Sequence, residues 1–191
     1  MAENLQKRSE TKKKIKDATM ALYAQDGLYK ISVTGICKMA GLHRSTFYLY
    51  YETIDEVIEE VETELLEQMY YYSDKTDFSS VKQKDMGKED VLAFSRQILA
   101  DYYTWMYSMR NYFNPLLSEN GDIRFLASFE KHLHDTHERL SVQLNLNFDN
   151  DYALDYFSGG TFRTLVRWLK AGDISVEELV KLQTEQFLKN L

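Results

Sequence analysis

Residues 32–51 constrain the fold of this chain more than any other segment. Ser32 is suited to cap a short helix, because its hydroxyl can accept a hydrogen bond from an unpaired backbone N–H at the helix start. Apolar residues then recur at helical spacing, at Val33, Ile36 and Ala40. Gly41 can adopt the left-handed conformation that ends a helix. The pattern predicts two short helices joined by a glycine turn.

The second of these helices combines an apolar side with a polar leading edge. Leu42 and Phe47 are expected to point inward, and the polar edge consists of His43, Arg44, Ser45, Thr46 and Tyr48. In a helix-turn-helix, the first residues of the second helix enter the major groove of DNA. Arg44 is the best candidate for a contact to a base. We expect the remaining contacts to DNA from His43, Ser45, Thr46, Tyr48 and Tyr50, and from Ser32 and Thr34 at the start of the preceding helix.

Together with the helix before it, this segment resembles the DNA-binding domain of the TetR family of bacterial transcriptional regulators. The matching residues follow in order and without gaps: Ile15, Ala18, Leu22, Tyr23, Gly27, Ser32, Val33, Ile36, Cys37, Ala40, Gly41, Leu42, Thr46, Phe47, Tyr48, Tyr50 and Tyr51. The resemblance implies an all-α fold with a helix-turn-helix domain over residues 1–52 and a helical effector-binding and dimerisation domain over residues 53–191. One departure is Ile54, which stands where many members carry a lysine that meets a phosphate.

The distribution of charge agrees with a DNA-binding end. Residues 1–51 hold nine Lys and Arg against four Asp and Glu, a net charge of +5, although the whole chain carries −7. A positive segment can meet phosphates while an acidic remainder favours solubility. The basic run Lys12, Lys13, Lys14 and Lys16 fits either phosphate contacts or an ordinary solvated helix face.

Helical periodicity and turn residues predict about nine helices. A single proline among 191 residues argues against an all-β fold. We expect helices over 9–26, from 53 to about 72, over 89–108, from a cap at 114 with a first-turn proline at 115, and over 123–144, 151–171 and 175–190. Residues 53–56 form a capping-box sequence for the fourth helix. The polar segment 74–88 is expected to be a loop.

Aromatic residues are dense in the middle of the chain. They could line a pocket for a planar or apolar effector, with hydroxyl groups to orient it, or they could simply pack a core. The candidate pocket residues are Tyr70, Tyr102, Trp105, Tyr112, Phe113 and His134.

The last two helices resemble the C-terminal region of many TetR-type regulators, in which such helices pair with their copies in a homodimer. Gly159 and Gly160 lie inside the eighth helix, at a cost of about 1 kcal/mol each relative to Ala, which would make sense if another backbone approached closely. The candidate interface residues are Phe157, Gly160, Leu165, Trp168, Leu169 and Leu182. Helical spacing fits equally well with residues that complete the core of a single chain.

Several classes of protein are disfavoured. No apolar run approaches the ~20 residues of a membrane span, and residues 1–10 lack the apolar core of a signal peptide, so a cytoplasmic protein is expected. Cys37, the single cysteine, is expected to be a buried small residue. His132, His134 and His137 lie close in sequence, but only the last two share a helix face, and we predict no metal site. No enzymatic motif is present and no cofactor is expected.

The resulting expectation is a homodimeric repressor that binds double-stranded operator DNA and is released by a small-molecule effector. The alternative is a regulator or activator controlled by a protein partner. The C-terminal region bears some likeness to TetR-type regulators of dihydroxyacetone kinase operons, in which a protein partner is part of the switch. A partner-driven regulator should have its pocket space filled by Tyr and Trp side chains and should expose an apolar patch.

Overall fold

A computed structural model describes residues 2–75, 88–143 and 150–188. Within these ranges the chain is all-α, as predicted, and contains no strand. The helices are α1 (Ala2–Asp26), α2 (Val33–Ala40), α3 (Arg44–Tyr48), α4 (Ile54–Asp74), α5 (Lys88–Ser108), α6 (Arg110–Leu116), α7 (Ile123–Gln143), α8 (Asp151–Ala171) and α9 (Val176–Leu188), with a short 3-10 turn at Leu28–Lys30. Most of the predicted loop at 74–88 lies outside the described residues, as do the predicted ends of α7 and α9.

Two predicted helix starts are wrong. Helix α1 begins seven residues before the predicted start at Ser9, and a hydrogen bond of 3.2 Å between Gln6 and Glu10 supports its extra turns. Helix α6 begins at Arg110, so Pro115 lies in its last turn instead of its first. A proline this late in a short helix removes a single backbone hydrogen bond, and burial of its ring offsets that loss.

The predicted caps of α2 are confirmed. The Ser32 hydroxyl accepts a hydrogen bond of 3.1 Å from the Gly35 N–H, and Gly41 ends the helix with a φ of 67°. At the start of α4, the Thr53 hydroxyl accepts from the Glu56 N–H at 3.2 Å, as a capping box requires. The Glu56 carboxylate, however, accepts from the Glu52 N–H at 2.8 Å, one residue before the predicted donor.

The described helices pack into two compact units. The first unit comprises Met1–Leu65 and Asn111–Phe125, and the second comprises Leu66–Arg110 and Leu126–Leu191. Helix α4 is continuous and contributes its first half to the first unit and its second half to the second. These units describe packing; the division of function between residues 52 and 53 stays a prediction.

The first unit has an apolar core between its short helices. Ile15 of α1, Ile36 of α2, Phe47 of α3 and Val57 of α4 are all completely buried there. Cys37 is buried beside them, as predicted for a small packing residue, and burial raises the pKa of its thiol. A raised thiol pKa leaves little thiolate, so the environment does not favour redox reactivity at Cys37.

The core of the second unit corrects part of the predicted dimer interface. Leu165, Trp168 and Leu169 are at most 2% exposed within one chain, and the Trp168 indole N–H donates to the Ile174 carbonyl at 2.9 Å. The Trp168 ring packs against Tyr103 and Tyr107. These three residues of α8 therefore belong to the core of their own chain, because they have almost no surface left for a second one.

The glycines of α8 differ from the glycine at the α6–α7 turn. A Cβ added at Gly159 or Gly160 would meet nothing within 4 Å, so no other described part of the chain makes the expected close backbone approach there. A Cβ added at Gly121 would lie 1.9 Å from the Leu116 carbonyl oxygen. Among the glycines that the structure describes, Gly121 is therefore the one at which a side chain would collide with backbone.

We expect Gly121→Ala to lower the free energy of unfolding by about 2–3 kcal/mol, because the added methyl group displaces backbone. Gly159→Ala is the matched control. It should raise the free energy of unfolding by about 0.5–1 kcal/mol, because alanine has less backbone entropy to lose than glycine when the unfolded chain forms the helix. Chemical denaturation measures both. A Gly121→Ala protein as stable as wild type would contradict the close approach to Leu116.

Candidate nucleic-acid interface

The polar edge predicted for α3 is exposed and locally ordered. His43 precedes the helix as its N-cap, and its Nδ1 accepts from the Ser45 N–H at 3.3 Å. The Arg44 guanidinium donates to the Tyr48 hydroxyl at 3.4 Å, one helical turn later, and this bond raises the pKa of Arg44. Arg44 is therefore charged, exposed and directed along the helix surface.

Most of the predicted DNA-binding residues lie at the surface. The exposed ones are Ser32, Thr34, His43, Arg44, Ser45 and Tyr48, whereas Thr46 and Tyr50 are half-buried. Phe47 is completely buried and its ring meets the Tyr48 ring edge-on at a centroid distance of 5.5 Å. Burial of Phe47 fixes the rotation of α3 and so determines which side chains face outward.

The basic run of α1 is largely neutralised by carboxylates of the same unit. Lys12 pairs with Glu60 at 2.6 Å, and Lys16 pairs with Glu64 at 2.6 Å. Although partial burial opposes it, the two lysines lower the pKa of Glu60. These ion pairs join α1 to α4. Lys12 and Lys16 therefore form neither phosphate contacts nor an ordinary solvated face, but an ion-pair network within the first unit.

Two basic residues near the polar edge were missed by sequence reasoning. Lys38 is exposed in the last turn of α2, and the Arg8 guanidinium lies 5.9 Å from the centroid of the Tyr50 ring. The helical period of α2 could have identified Lys38, because Val33, Ile36 and Ala40 mark the opposite face. Nothing in the sequence pairs Arg8 with Tyr50, since that contact depends on how α1 crosses the helix-turn-helix.

The six candidate effector residues divide between the two units. In the first unit, the Tyr112 hydroxyl donates to Asp17 and Phe113 is buried against Phe125. In the second unit, Tyr102 and Trp105 are brought together as nearly parallel rings 6.0 Å apart. Tyr70 and His134, also in the second unit, pair with other residues.

Tyr72 completes the aromatic stack in the second unit. Its ring lies 5.4 Å from the rings of both Tyr102 and Trp105. The buried Tyr102 hydroxyl has no hydrogen-bond partner within the described ranges, and burial raises its pKa well above the usual value. The stack therefore offers flat apolar surface with one buried polar group.

The three histidines of α7 have different surroundings. His132 is buried with its ring edge-on to Tyr70, at a centroid distance of 4.6 Å, and burial lowers its pKa to about 4. His134 and His137 share a face of α7, as predicted, and that face meets α8: His134 Nε2 lies 3.0 Å from Asp155 and His137 Nδ1 lies 3.0 Å from the Ser158 hydroxyl. Burial lowers the pKa of His137 to about 3. His132 thus contacts α4, whereas His134 and His137 contact α8.

Among the described residues, His134, Asp135 and Glu138 bring potential metal-ligand atoms within 4.8 Å of one another. Asp135 is already paired with Lys131 at 2.6 Å, and His134 with Asp155. Both partners would have to be displaced before a metal ion could bind. His134 and Asp135 therefore belong to surface ion pairs of α7.

An open groove runs along α8 and α9 in the second unit. It has a volume of about 560 Å³ and is lined by Ala153, Tyr156, Phe157, Gly160, Thr161, Thr164, Leu182, Gln183 and Gln186. Tyr156 is 86% exposed and Leu182 is 43% exposed. Gln183 is buried: its Oε1 accepts from Tyr103, but its Nε2 has no hydrogen-bond partner in the part of the chain that is described. Phe157, Gly160 and Leu182 are the predicted interface residues that line it.

No helix in the described ranges is both long enough and apolar enough to cross a membrane.

Comparison with known proteins agrees with the geometry of the first unit. Residues 15–61 match the family model described as bacterial regulatory proteins, tetR family. This range contains the end of α1, all of α2 and α3, and the start of α4. No curated protein sequence matches the chain significantly.

Solved structures share the fold over almost the whole chain. A transcriptional regulator (TerR/AcrR family) from Aquifex aeolicus VF5 has a TM-score of 0.66 at 15% identity, covering 95% of this chain and 99% of its own. A TetR transcriptional regulator from Streptococcus agalactiae 2603V has a TM-score of 0.55 at 23% identity, with coverages of 95% and 97%. FadR from Bacillus subtilis, in complex with stearoyl-CoA, has a TM-score of 0.57 at 18% identity, with coverages of 93% and 98%. At these identities the similarity concerns the fold.

Proposed function

We propose that this chain is a transcription regulator of the tetR type, as the match of residues 15–61 to that family supports. On this proposal it is a cytoplasmic repressor that binds a pseudo-palindromic operator as a dimer and is released by a small-molecule effector. The observation that carries the proposal is the exposed edge of α3, where His43 caps the helix and Arg44 stands charged at its start. A charged, outward arginine at that place can bond to the O6 and N7 atoms of guanine in the major groove.

Phosphate contacts would hold this edge in register on DNA. Ser32 and Thr34 stand at the exposed start of α2, where helix N–H groups and hydroxyls favour phosphate oxygens. Lys38 adds a positive charge on the same short helix. Lys12 and Lys16 are excluded from this role because carboxylates of α4 already occupy them.

We expect Arg44→Ala to lose about 1–3 kcal/mol of discrimination between operator and unrelated DNA, because it removes a base contact. Arg96→Ala is the matched control: it removes the same charge from an exposed position of α5 in the second unit. Fluorescence anisotropy with DNA upstream of the protein's own gene, across a salt series, measures both. Wild-type log K should fall linearly with log salt concentration.

If wild type and Arg44→Ala discriminate equally between operator and unrelated DNA, Arg44 does not contact a base. If the upstream DNA is bound no better than unrelated DNA, selection from random sequences finds the preferred site, and the comparison is repeated there. Failure of that selection would contradict sequence-specific DNA binding by this chain.

Dimerisation is proposed through the groove between α8 and α9. Its floor at Gly160 is open, and its sides expose Tyr156 and Leu182. A two-fold dimer would also hold two α3 helices for two half-sites about 34–36 Å apart or multiples of that distance.

We expect Gly160→Leu to weaken the dimer about ten- to a hundredfold, because its side chain fills space that a second chain would need. Gly159→Leu is the control, since it makes the same change one residue away, at a position that does not line the groove. Neither substitution meets an atom within 4 Å at Cβ, so both chains should fold. Analytical ultracentrifugation measures the dissociation constants. Equal dimerisation of both variants would move the interface elsewhere, and a monomeric wild type would contradict the dimer itself.

The effector is proposed to bind against the stack of Tyr72, Tyr102 and Trp105. FadR of Bacillus subtilis holds stearoyl-CoA on the same fold, which makes acyl-CoA thioesters a reasonable first series of probes. The chain has two tryptophans, and Trp168 is buried in the core. Fluorescence of a Trp168→Phe variant therefore reports on Trp105.

We expect an effector to quench Trp105 fluorescence and to release operator DNA over the same concentration range, because both signals depend on one binding event. Lauroyl-CoA and stearoyl-CoA are the first probes, with free coenzyme A as the control.

The protein-partner alternative remains a second candidate, since the aromatic stack fills space that a small molecule would occupy and the groove exposes apolar side chains. This alternative would be favoured if no small molecule released the chain from operator DNA but addition of a co-purifying protein did. The likeness to regulators of dihydroxyacetone kinase operons belongs to the same alternative.

A further inference from the structure

Three elements of the first unit meet beside Glu62. Tyr23 of α1 is buried, and its hydroxyl donates to the Asn120 carbonyl oxygen at 3.1 Å. Asn120 belongs to the turn of residues 118–122, and the close fit of Gly121 against Leu116 leaves that turn little room to shift. Glu62 comes from α4, and the Asp122 carboxylate acts electrostatically on both Glu62 and Tyr23.

Glu62 lacks the partner that its neighbours on α4 possess. Glu60 and Glu64 each accept hydrogen bonds from lysines of α1. By contrast, Oε1 of Glu62 is fully buried and has no hydrogen-bond partner among the described residues. An ionised carboxylate would lose the hydration of Oε1 without a hydrogen bond in exchange, whereas a neutral carboxylic acid would lose much less.

The charges that face Glu62 also disfavour its ionisation. Asp122 is held in its charged form by Arg124, whose backbone N–H and guanidinium both donate to it at 2.7 Å and thereby lower its pKa. Glu59 adds a second negative charge, and Arg124 partly compensates. Burial first, and then Asp122, raise the pKa of Glu62 to about 7.

We propose that Glu62 is a proton-binding switch: as a neutral acid it allows the 118–122 turn to pack against α1 and α4, and its ionisation loosens that packing. Ionisation sets the negative charge of Glu62 against that of Asp122, which belongs to the same turn as Asn120. This repulsion favours movement of the turn away from α4, which would strain the hydrogen bond from Tyr23 to Asn120. The packing is therefore tight below neutral pH and weaker above it.

The direction of the pH effect follows from linkage. In the unfolded chain Glu62 titrates near pH 4.3, so the folded form binds the proton more tightly. The protonated Glu62 side chain therefore adds fully to the free energy of unfolding below about pH 4.3, and this stabilisation is lost as the pH rises through about 7. His132 and His137 act in the opposite sense, because their lowered pKa values make the fold less stable as the pH falls below about 6.5.

The test compares wild type with Glu62→Gln, which mimics the neutral acid in shape and charge. Glu67→Gln is the control, since Glu67 is an exposed carboxyl group of α4 that is not among the charges acting on Glu62. The melting temperature of each full-length protein is measured from pH 5 to pH 8. Both proteins contain His132 and His137, so subtracting the wild-type melting temperature from that of Glu62→Gln at each pH removes the effect of these histidines.

We expect Glu62→Gln to gain about 5 °C relative to wild type between pH 5 and pH 8, while Glu67→Gln follows wild type throughout. The ¹³C resonance of the Glu62 carboxyl group, assigned by its loss in Glu62→Gln, should titrate with a midpoint near pH 7. A midpoint near pH 4.5, or the same pH profile for wild type and Glu62→Gln, would overturn the switch.

A consequence for regulation rests on the proposed DNA binding and has its own readout. Affinity of wild type for operator DNA should change between pH 6 and pH 8 by more than that of Glu62→Gln, because only wild type changes the packing of its first unit. If the carboxyl titration and the melting profiles are as expected but both proteins follow one affinity profile, the switch controls stability and not DNA binding. If no DNA is bound at any pH, the proposed function fails while the titration still decides the role of Glu62.

Discussion

The outward edge of α3 depends on a small apolar core. Helices α2 and α3 have eight and five residues, far too few to be stable alone in water, since isolated helices shorter than ~12–15 residues are marginal. They persist because Ile36 and Phe47 are completely buried against Ile15 of α1. The direction of Arg44 is thus a consequence of where Phe47 is held. A loss of that packing would disrupt the polar edge of α3 even with every polar residue in place.

Helix α4 joins this core to the rest of the chain through one continuous backbone. Its first half carries Glu60 and Glu64, which pair with Lys12 and Lys16. Between them lies Glu62, whose Oε1 has no hydrogen-bond partner among the described residues. Its second half carries Tyr72, which stacks on the aromatic rings of the second unit. One helix therefore carries ion pairs, a partly buried acid and an aromatic surface in sequence.

Sequence periodicity and turn chemistry predicted most of the helices, and the exceptions have physical causes. The bounds of α8 and the caps Ser32 and Gly41 follow from local rules that need no tertiary information. Pro115 misled the prediction for α6, because a proline after an asparagine is typical of a helix start, whereas here the proline lies in the last turn and its ring is buried. The basic run of α1 was ambiguous because its carboxylate partners lie more than forty residues away on α4.

The amino-acid sequence by itself determined the helix-turn-helix, since capping residues, a left-handed glycine and a 3.6-residue period all act between near neighbours. It could not decide which apolar residues of α8 face their own core. Trp168 and Gly160 both lie on α8, and only the packing of α5 and α9 buries Trp168 while Gly160 stays open. Likewise, only the tertiary structure distinguishes Glu62, whose Oε1 has no hydrogen-bond partner among the described residues, from Glu60 and Glu64, which pair with lysines. The physical reason is that burial and charge pairing depend on neighbours in space, which the chain brings together only when it folds.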